Sequence, residues 1–106
     1  MDRRRIIIVD DHPLFRAALR QTLSSGDPSI QVEEAGDLAA LGTALENDRD
    51  CDLVLLDLNV PGARGFSGLL LLRAQYPEIP VMIISAVEDA GVVRSALDLG
   101  AAGYLR

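Results

Sequence analysis

No lysine occurs anywhere in this 106-residue chain; all ten basic residues are arginine. A catalytic site built on a lysine is therefore excluded within these residues. Cysteine is almost as scarce. The single Cys51 rules out an internal disulfide and a thiolate metal cluster, and it fits a reducing cytoplasm. Basic charge is outweighed by acidic charge to give a net −6, a sign that disfavours nucleic-acid phosphates or an anionic membrane as direct partners. No apolar run approaches the ~20 residues that cross a bilayer, and the N-terminus lacks the profile of a signal peptide. Arg3 to Arg5 read as a solvated lead-in to a strand rather than as a targeting signal.

What is present suits one soluble domain. The length buries a single core and is too short to divide in two. Hydrophobic residues at 49% and charged residues at 25% are ordinary for a globular chain. Apolar runs of strand length recur at Ile6 to Val9, Leu53 to Leu56 and Val81 to Ile84, each followed by a polar residue. Such runs suit strands buried on both faces. Between them lie stripes at helical spacing: Leu14, Phe15, Ala18, Leu19, Thr22 and Leu23; Leu38, Leu41 and Leu45; Phe66, Leu69, Leu70 and Arg73; Val92, Val93, Ala96 and Leu97. Gly26, Asp27 and Pro28, then Pro61 and Gly62, then Gly100 punctuate the pattern. A further strand around Ile30 to Glu33 reads as a half-exposed edge, and a fifth begins near Gly103. Alternating strands and helices predict an α/β fold, a doubly wound five-stranded parallel sheet in the order 2-1-3-4-5 with right-handed crossovers. In such sheets functional groups gather beyond the carboxyl ends of the strands, at the switch point between the first and third.

Asp10 and Asp11 end the first predicted strand and Asp57 ends the third, so neighbouring strands bring three carboxylates to one edge. Two like charges ~4 Å apart repel by about 4 kcal/mol at an effective dielectric near 20, and the cluster needs a cation, a proton or solvent to hold it. Hard oxygen ligands with open positions suit Mg²⁺. The plainer alternative is that Asp11 caps the first helix and Asp57 merely terminates a strand. Pro13 argues against half of that, because proline favours the first helical position and so places His12 at the cap, as a helix-start residue rather than a metal ligand. A carboxylate beside Mg²⁺ can also be a nucleophile toward phosphorus. Asp57 is the better candidate because it stands alone. Ser85, ending the fourth strand beside the small Ala86, offers a hydroxyl to phosphoryl oxygens, though a serine there is otherwise an ordinary turn residue.

The ordered set Asp10, Asp11; Leu53 to Asp57, Asn59, Pro61, Gly65; Ile83 to Ala86; and Gly100, Ala101, Gly103, Tyr104 resembles the receiver domains of bacterial two-component response regulators, over essentially all of residues 1–106. The resemblance implies that Asp57 accepts a phosphoryl group from a sensor histidine kinase, that Asp11 binds Mg²⁺ directly with Asp10 assisting through water, and that Asn59 lends its backbone carbonyl. Ser85 and Tyr104 would form the switch, one moving toward the phosphoryl group and the other swinging in behind it. The run Asp10 to Arg16 and the ending Gly100 to Leu105 look most like the subgroup with a LuxR-type helix-turn-helix. There, phosphorylation governs homodimerisation and DNA binding by an output domain not among these residues.

Members of the family carry a lysine three residues after the aromatic, here position 107, one beyond Arg106. Arg106 does not replace it, because alternation along a strand aims it at the other face. The expected fifth helix also lies beyond these residues, which predicts apolar surface exposed on strands one, three, four and five and a tendency to associate. Two other functions stay open: a receiver acting without phosphorylation as an interaction module, and a metal-dependent phosphatase or nuclease using the same aspartates.

Overall fold

β-Branched and leucine-rich runs form the strands, and a computed structural model describes residues 4–58, 65–85 and 90–105. In chain order the elements are β1 (Arg4–Val9), α1 (Pro13–Gly26), β2 (Ile30–Ala35), α2 (Leu38–Asn47), β3 (Leu53–Asp57), α3 (Ser67–Gln75), β4 (Val81–Ile84), α4 (Ala90–Asp98) and β5 (Gly103–Leu105). The sheet is parallel throughout, in the order β2-β1-β3-β4-β5. This is the doubly wound arrangement that the alternation predicts. β2 is an edge, as expected, but runs two residues past Glu33 and stays in register with β1 up to Val9 opposite Ala35. Pro61, Gly62, Asn59 and Ala86 lie outside the described residues.

Strand alternation sends successive side chains to opposite faces. Ile7, Val9, Val54, Leu56, Val81 and Ile83 pack with Leu41 and Leu45 of α2, Leu69 and Leu72 of α3 and Ala96 of α4 in the larger core cluster. Ile6, Ile8, Val32, Leu55 and Ile84 form the smaller one, against Leu19 and Leu23 of α1. The α2 stripe is as expected, and Asp37 caps that helix by accepting from the Ala40 N–H at 2.7 Å. Three other stripes need correction. On α1 only Leu19 and Leu23 reach the core, while Leu14, Phe15, Ala18 and Thr22 face outward. On α3 the inward residue after Leu69 is Leu72, not Leu70, because a run of four leucines fixes no phase by itself. On α4 Leu97 is exposed, and Ala96 and Val92 make the contact.

The apolar surface anticipated on four strands is smaller than expected. Ile6, Ile8, Leu55 and Ile84 are buried; Leu53 and Met82 are half-buried, and among these only Leu105 of β5 is plainly exposed. α1 thus covers the centre of its face with a narrow line of side chains.

Arg5 is no solvated lead-in. It sits inside β1, and its guanidinium makes a bidentate pair with Glu33 of β2, Nε to Oε2 at 2.5 Å and Nη2 to Oε1 at 2.9 Å. It also donates to the Asp48 carbonyl at 2.6 Å, just past the C-terminus of α2. There the positive charge complements the helix dipole and satisfies an orphan acceptor. The Arg5 N–H meanwhile donates to Asp52 at 2.8 Å, ahead of β3. One residue therefore joins two strands, a helix end and the approach to a third strand.

The hydrogen bonds from Arg5 hold the Glu33 carboxyl below its ordinary value of about 4.5. A depressed folded-state pKa contributes stability that is present above the unfolded value and disappears as pH falls through the folded one. Urea denaturation of wild type and Glu33→Gln should therefore differ in midpoint at pH 7, with the difference shrinking as pH drops below about 4.5. A difference independent of pH would show that the ion pair is not its source. For the core, Leu69→Ala should cost about 2–5 kcal/mol of unfolding free energy, whereas the neighbouring Leu70→Ala should stay within roughly 0.5 kcal/mol of wild type.

Candidate functional site

The register of β1 on β3 sets Val9 opposite Leu56, so Asp10 follows one strand exactly where Asp57 ends the other. Asp10 and Asp57 are 2% and 7% exposed; these two are the buried polar residues among those described. Asp11 stands at the surface beside them. Oxygen atoms from Asp10, Asp11 and Asp57, together with a ring nitrogen of His12, all lie within 4.8 Å of one another. The three carboxylates that the sequence analysis singled out are thus brought together.

Asp10 is fixed at several atoms. Its N–H donates to the Ala35 carbonyl at 3.1 Å, its own carbonyl accepts from Arg16 Nη1 at 2.7 Å, and its Oδ1 accepts the His12 N–H at 2.6 Å. His12 is the N-cap of α1, with Pro13 following, as the sequence indicates; its side chain makes no capping bond. The ring turns to the carboxylates instead, with Nδ1 2.9 Å from Asp10 Oδ1, 3.1 Å from Asp11 Oδ1 and 4.0 Å from Asp57 Oδ2. Reading His12 only as a helix-start residue misses this second contact. The ring stands in the place where the like charges most need a positive partner.

Ser85 follows Ile84, which is paired with Asp57, so it leaves the sheet at the same edge; its N–H donates to the Leu105 carbonyl at 3.0 Å. Tyr104 pairs in register with Ile83 and is partly buried against the larger core cluster, on the α4 side. Asn59 lies outside the described residues. Arg16, Glu34 and Gly36 gather behind Asp10 and were not singled out in the sequence. A cation in the opening turn of a helix opposes the dipole there, and this was the available sign that Arg16 needs a partner.

An octahedral cation with ligands at 2.0–2.1 Å spans roughly 4.2 Å between opposite ligand atoms. A donor set within 4.8 Å can close on such an ion with small side-chain movements. Oxygen-rich donors with one face open to solvent favour a hard divalent ion that keeps some of its water.

The carboxylates also act on His12. The hydrogen bond to Asp10, then the charges of Asp11 and Asp10, raise the imidazole pKa above the ordinary 6.5. His12 is the only histidine. In the metal-free protein its ring proton resonances should titrate with a midpoint above 6.5, and Asp10→Asn should bring that midpoint down. An unshifted wild-type midpoint would contradict the geometry.

Comparison with known proteins identifies the family. The family described as the response regulator receiver domain matches residues 6–106. The Pseudomonas putida protein called glycerol metabolism activator is 47% identical over 102 residues, covering 95% of this chain and 46% of the relative. Escherichia coli NarP, a nitrate/nitrite response regulator protein, is 40% identical over 101 residues, covering 95% of this chain and again 46% of the relative. The chain therefore spans about half the length of these relatives. Among solved structures, the NarL signal receiver domain of Mycobacterium tuberculosis superposes with a TM-score of 0.82 at 35% identity, covering 99% of this chain and 84% of that one. With its sheet order, its buried aspartates and these relatives together, the chain belongs to the response regulator receiver domains, in the NarL/LuxR subgroup.

Proposed function

We propose that this chain is a phosphoacceptor module in which Asp57 takes a phosphoryl group from the phosphohistidine of a sensor histidine kinase in a Mg²⁺-dependent reaction. The observation that carries this reading is the placement of Asp57, buried at the end of β3 and within 4.8 Å of the other acidic ligand atoms. An Asp57 carboxylate oxygen attacks phosphorus, the P–N bond breaks, and its electron pair leaves on the donor imidazole, which takes up a proton. Asp11 and Asp57, with Asp10 through water and the Asn59 carbonyl, would hold Mg²⁺, and the ion when bound would neutralise the phosphoryl oxygens.

Around that step the protein positions and excludes. β3 is paired with β1 as far as Leu56 and with β4 through Asp57 itself, so the nucleophile cannot retreat far from the acidic pair. The product carries about −1.5 to −2 charges and fresh acceptor oxygens, and the Ser85 hydroxyl at the same edge is the group to meet them. Movement of Ser85 toward the phosphoryl group draws on the β4 end, and Tyr104, one strand over, follows behind it. This makes the module a signalling switch rather than a metabolic enzyme. In the full-length protein, the switch controls homodimerisation and the DNA binding of a C-terminal output domain, and the setting is the cytoplasm.

Intact-mass measurement after incubation with Mg²⁺ and acetyl phosphate should show a gain of one phosphoryl group. The gain should vanish in Asp57→Asn and on chelation of the metal. A gain retained in Asp57→Asn, or no gain in a wild-type chain extended through position 107, would overturn the assignment.

A further inference from the structure

Behind the acidic pair, Arg16 reaches from the first turn of α1 to the Asp10 carbonyl at 2.7 Å. Its Nε donates to Glu34 Oε1 at 3.2 Å, and Glu34 is itself held by Arg20 Nη1 on the other carboxylate oxygen at 3.1 Å. Space for the guanidinium is kept by Gly36, where an added Cβ would lie 3.0 Å from Arg16 Nη1. β2 and α1 therefore present one guanidinium to one carbonyl.

That carbonyl belongs to the peptide linking Asp10 to Asp11. Its rotation changes the direction in which Asp11 leaves the backbone, and the Asp10 N–H on the preceding peptide is already tied to Ala35. Asp10 is 2% exposed, so without Arg16 its carbonyl would lose a charge-assisted bond where little water can replace it. Resting on the metal-dependent reading above, we infer that Arg16 is a positioning residue for the acidic pair, with Glu34 and Gly36 holding its guanidinium in place, and that it sets the affinity of this edge for a divalent cation.

Two simpler roles make different predictions. If Arg16 only braced α1 against β2, its loss would lower stability and leave cation affinity in the folded protein unchanged. If it acted only as a nearby positive charge, its removal would make the edge more negative and tighten cation binding. Positioning predicts the opposite sign: weaker binding.

The test is calorimetric titration of the folded chain with Mg²⁺, with melting temperature recorded for each variant. Arg16→Met should raise the Mg²⁺ dissociation constant about tenfold, the scale seen when partners that orient metal ligands are lost. Gly36→Ala should move it in the same direction with no change of net charge, because the methyl makes the guanidinium give way by a few tenths of an ångström. It also keeps the test alive should Arg16→Met fail to fold. Tighter or unchanged binding in Arg16→Met, or in Gly36→Ala if Arg16→Met fails to fold, would overturn the inference. Failure of the wild-type chain to bind Mg²⁺ at all would instead overturn the metal reading on which it rests.

Discussion

Parallel pairing of β1 with β3 obliges Asp10, Asp11 and Asp57 to share one corner of the sheet, and the mutual repulsion of their charges governs what surrounds them. At ~4 Å two such charges oppose each other by about 4 kcal/mol at an effective dielectric near 20. The protein spreads the relief over several groups: an imidazole ring turned to the carboxylates, the His12 N–H, and a solvent-facing side at Asp11. None of these is as compact or as highly charged as a divalent ion. A site so arranged has its acidic ligand atoms near enough to close on a divalent cation.

Holding charged groups together in this way requires a backbone that does not yield. The grip comes from both sides of the sheet. On the α1 side Arg16 meets Glu34 and the Asp10 carbonyl; on the α2 side Arg5 meets Glu33 and the end of α2. Adjacent glutamates on an edge strand, pointing to opposite faces, thus receive one guanidinium at Glu33 and two at Glu34, and β2 is fastened to β1 through side chains as well as through the ladder. Guanidinium suits this work because its fork bonds a carboxylate and a carbonyl at once. An all-arginine complement of basic residues is consistent with that use.

The sheet order, the strand positions and the convergence of three aspartates were legible because they depend on period and spacing, which survive in a linear reading. Helix phase was less so. The leucine run through Leu69 to Leu72 offers every face an apolar residue, and only packing decides that Leu72 goes in and Leu70 stays out. The α1 stripe misled for a related reason: Leu14, Phe15, Ala18 and Thr22 have helical spacing, but packing takes only Leu19 and Leu23 into the core. Arg5 was illegible as a framework group, since its partners lie on other elements; Arg16 carried only the local sign of a cation in a helix's opening turn, and the His12 ring, read as a helix start, finds its partners in its own neighbours Asp10 and Asp11. Asn59 was proposed only through resemblance and lies outside the described residues.

One consequence lies in the proton inventory of the molecule. Arginines keep their charge at every pH at which the chain folds, and burial pushes the Cys51 thiol up from an already alkaline 9.0. The framework that fastens β2 is accordingly indifferent to pH around neutrality. His12, the single side chain of ordinary neutral-range pKa, has its ring against the carboxylates. A change in acidity near neutrality is therefore felt first at the corner where the chemistry would occur, while the scaffold that supports it keeps its charges.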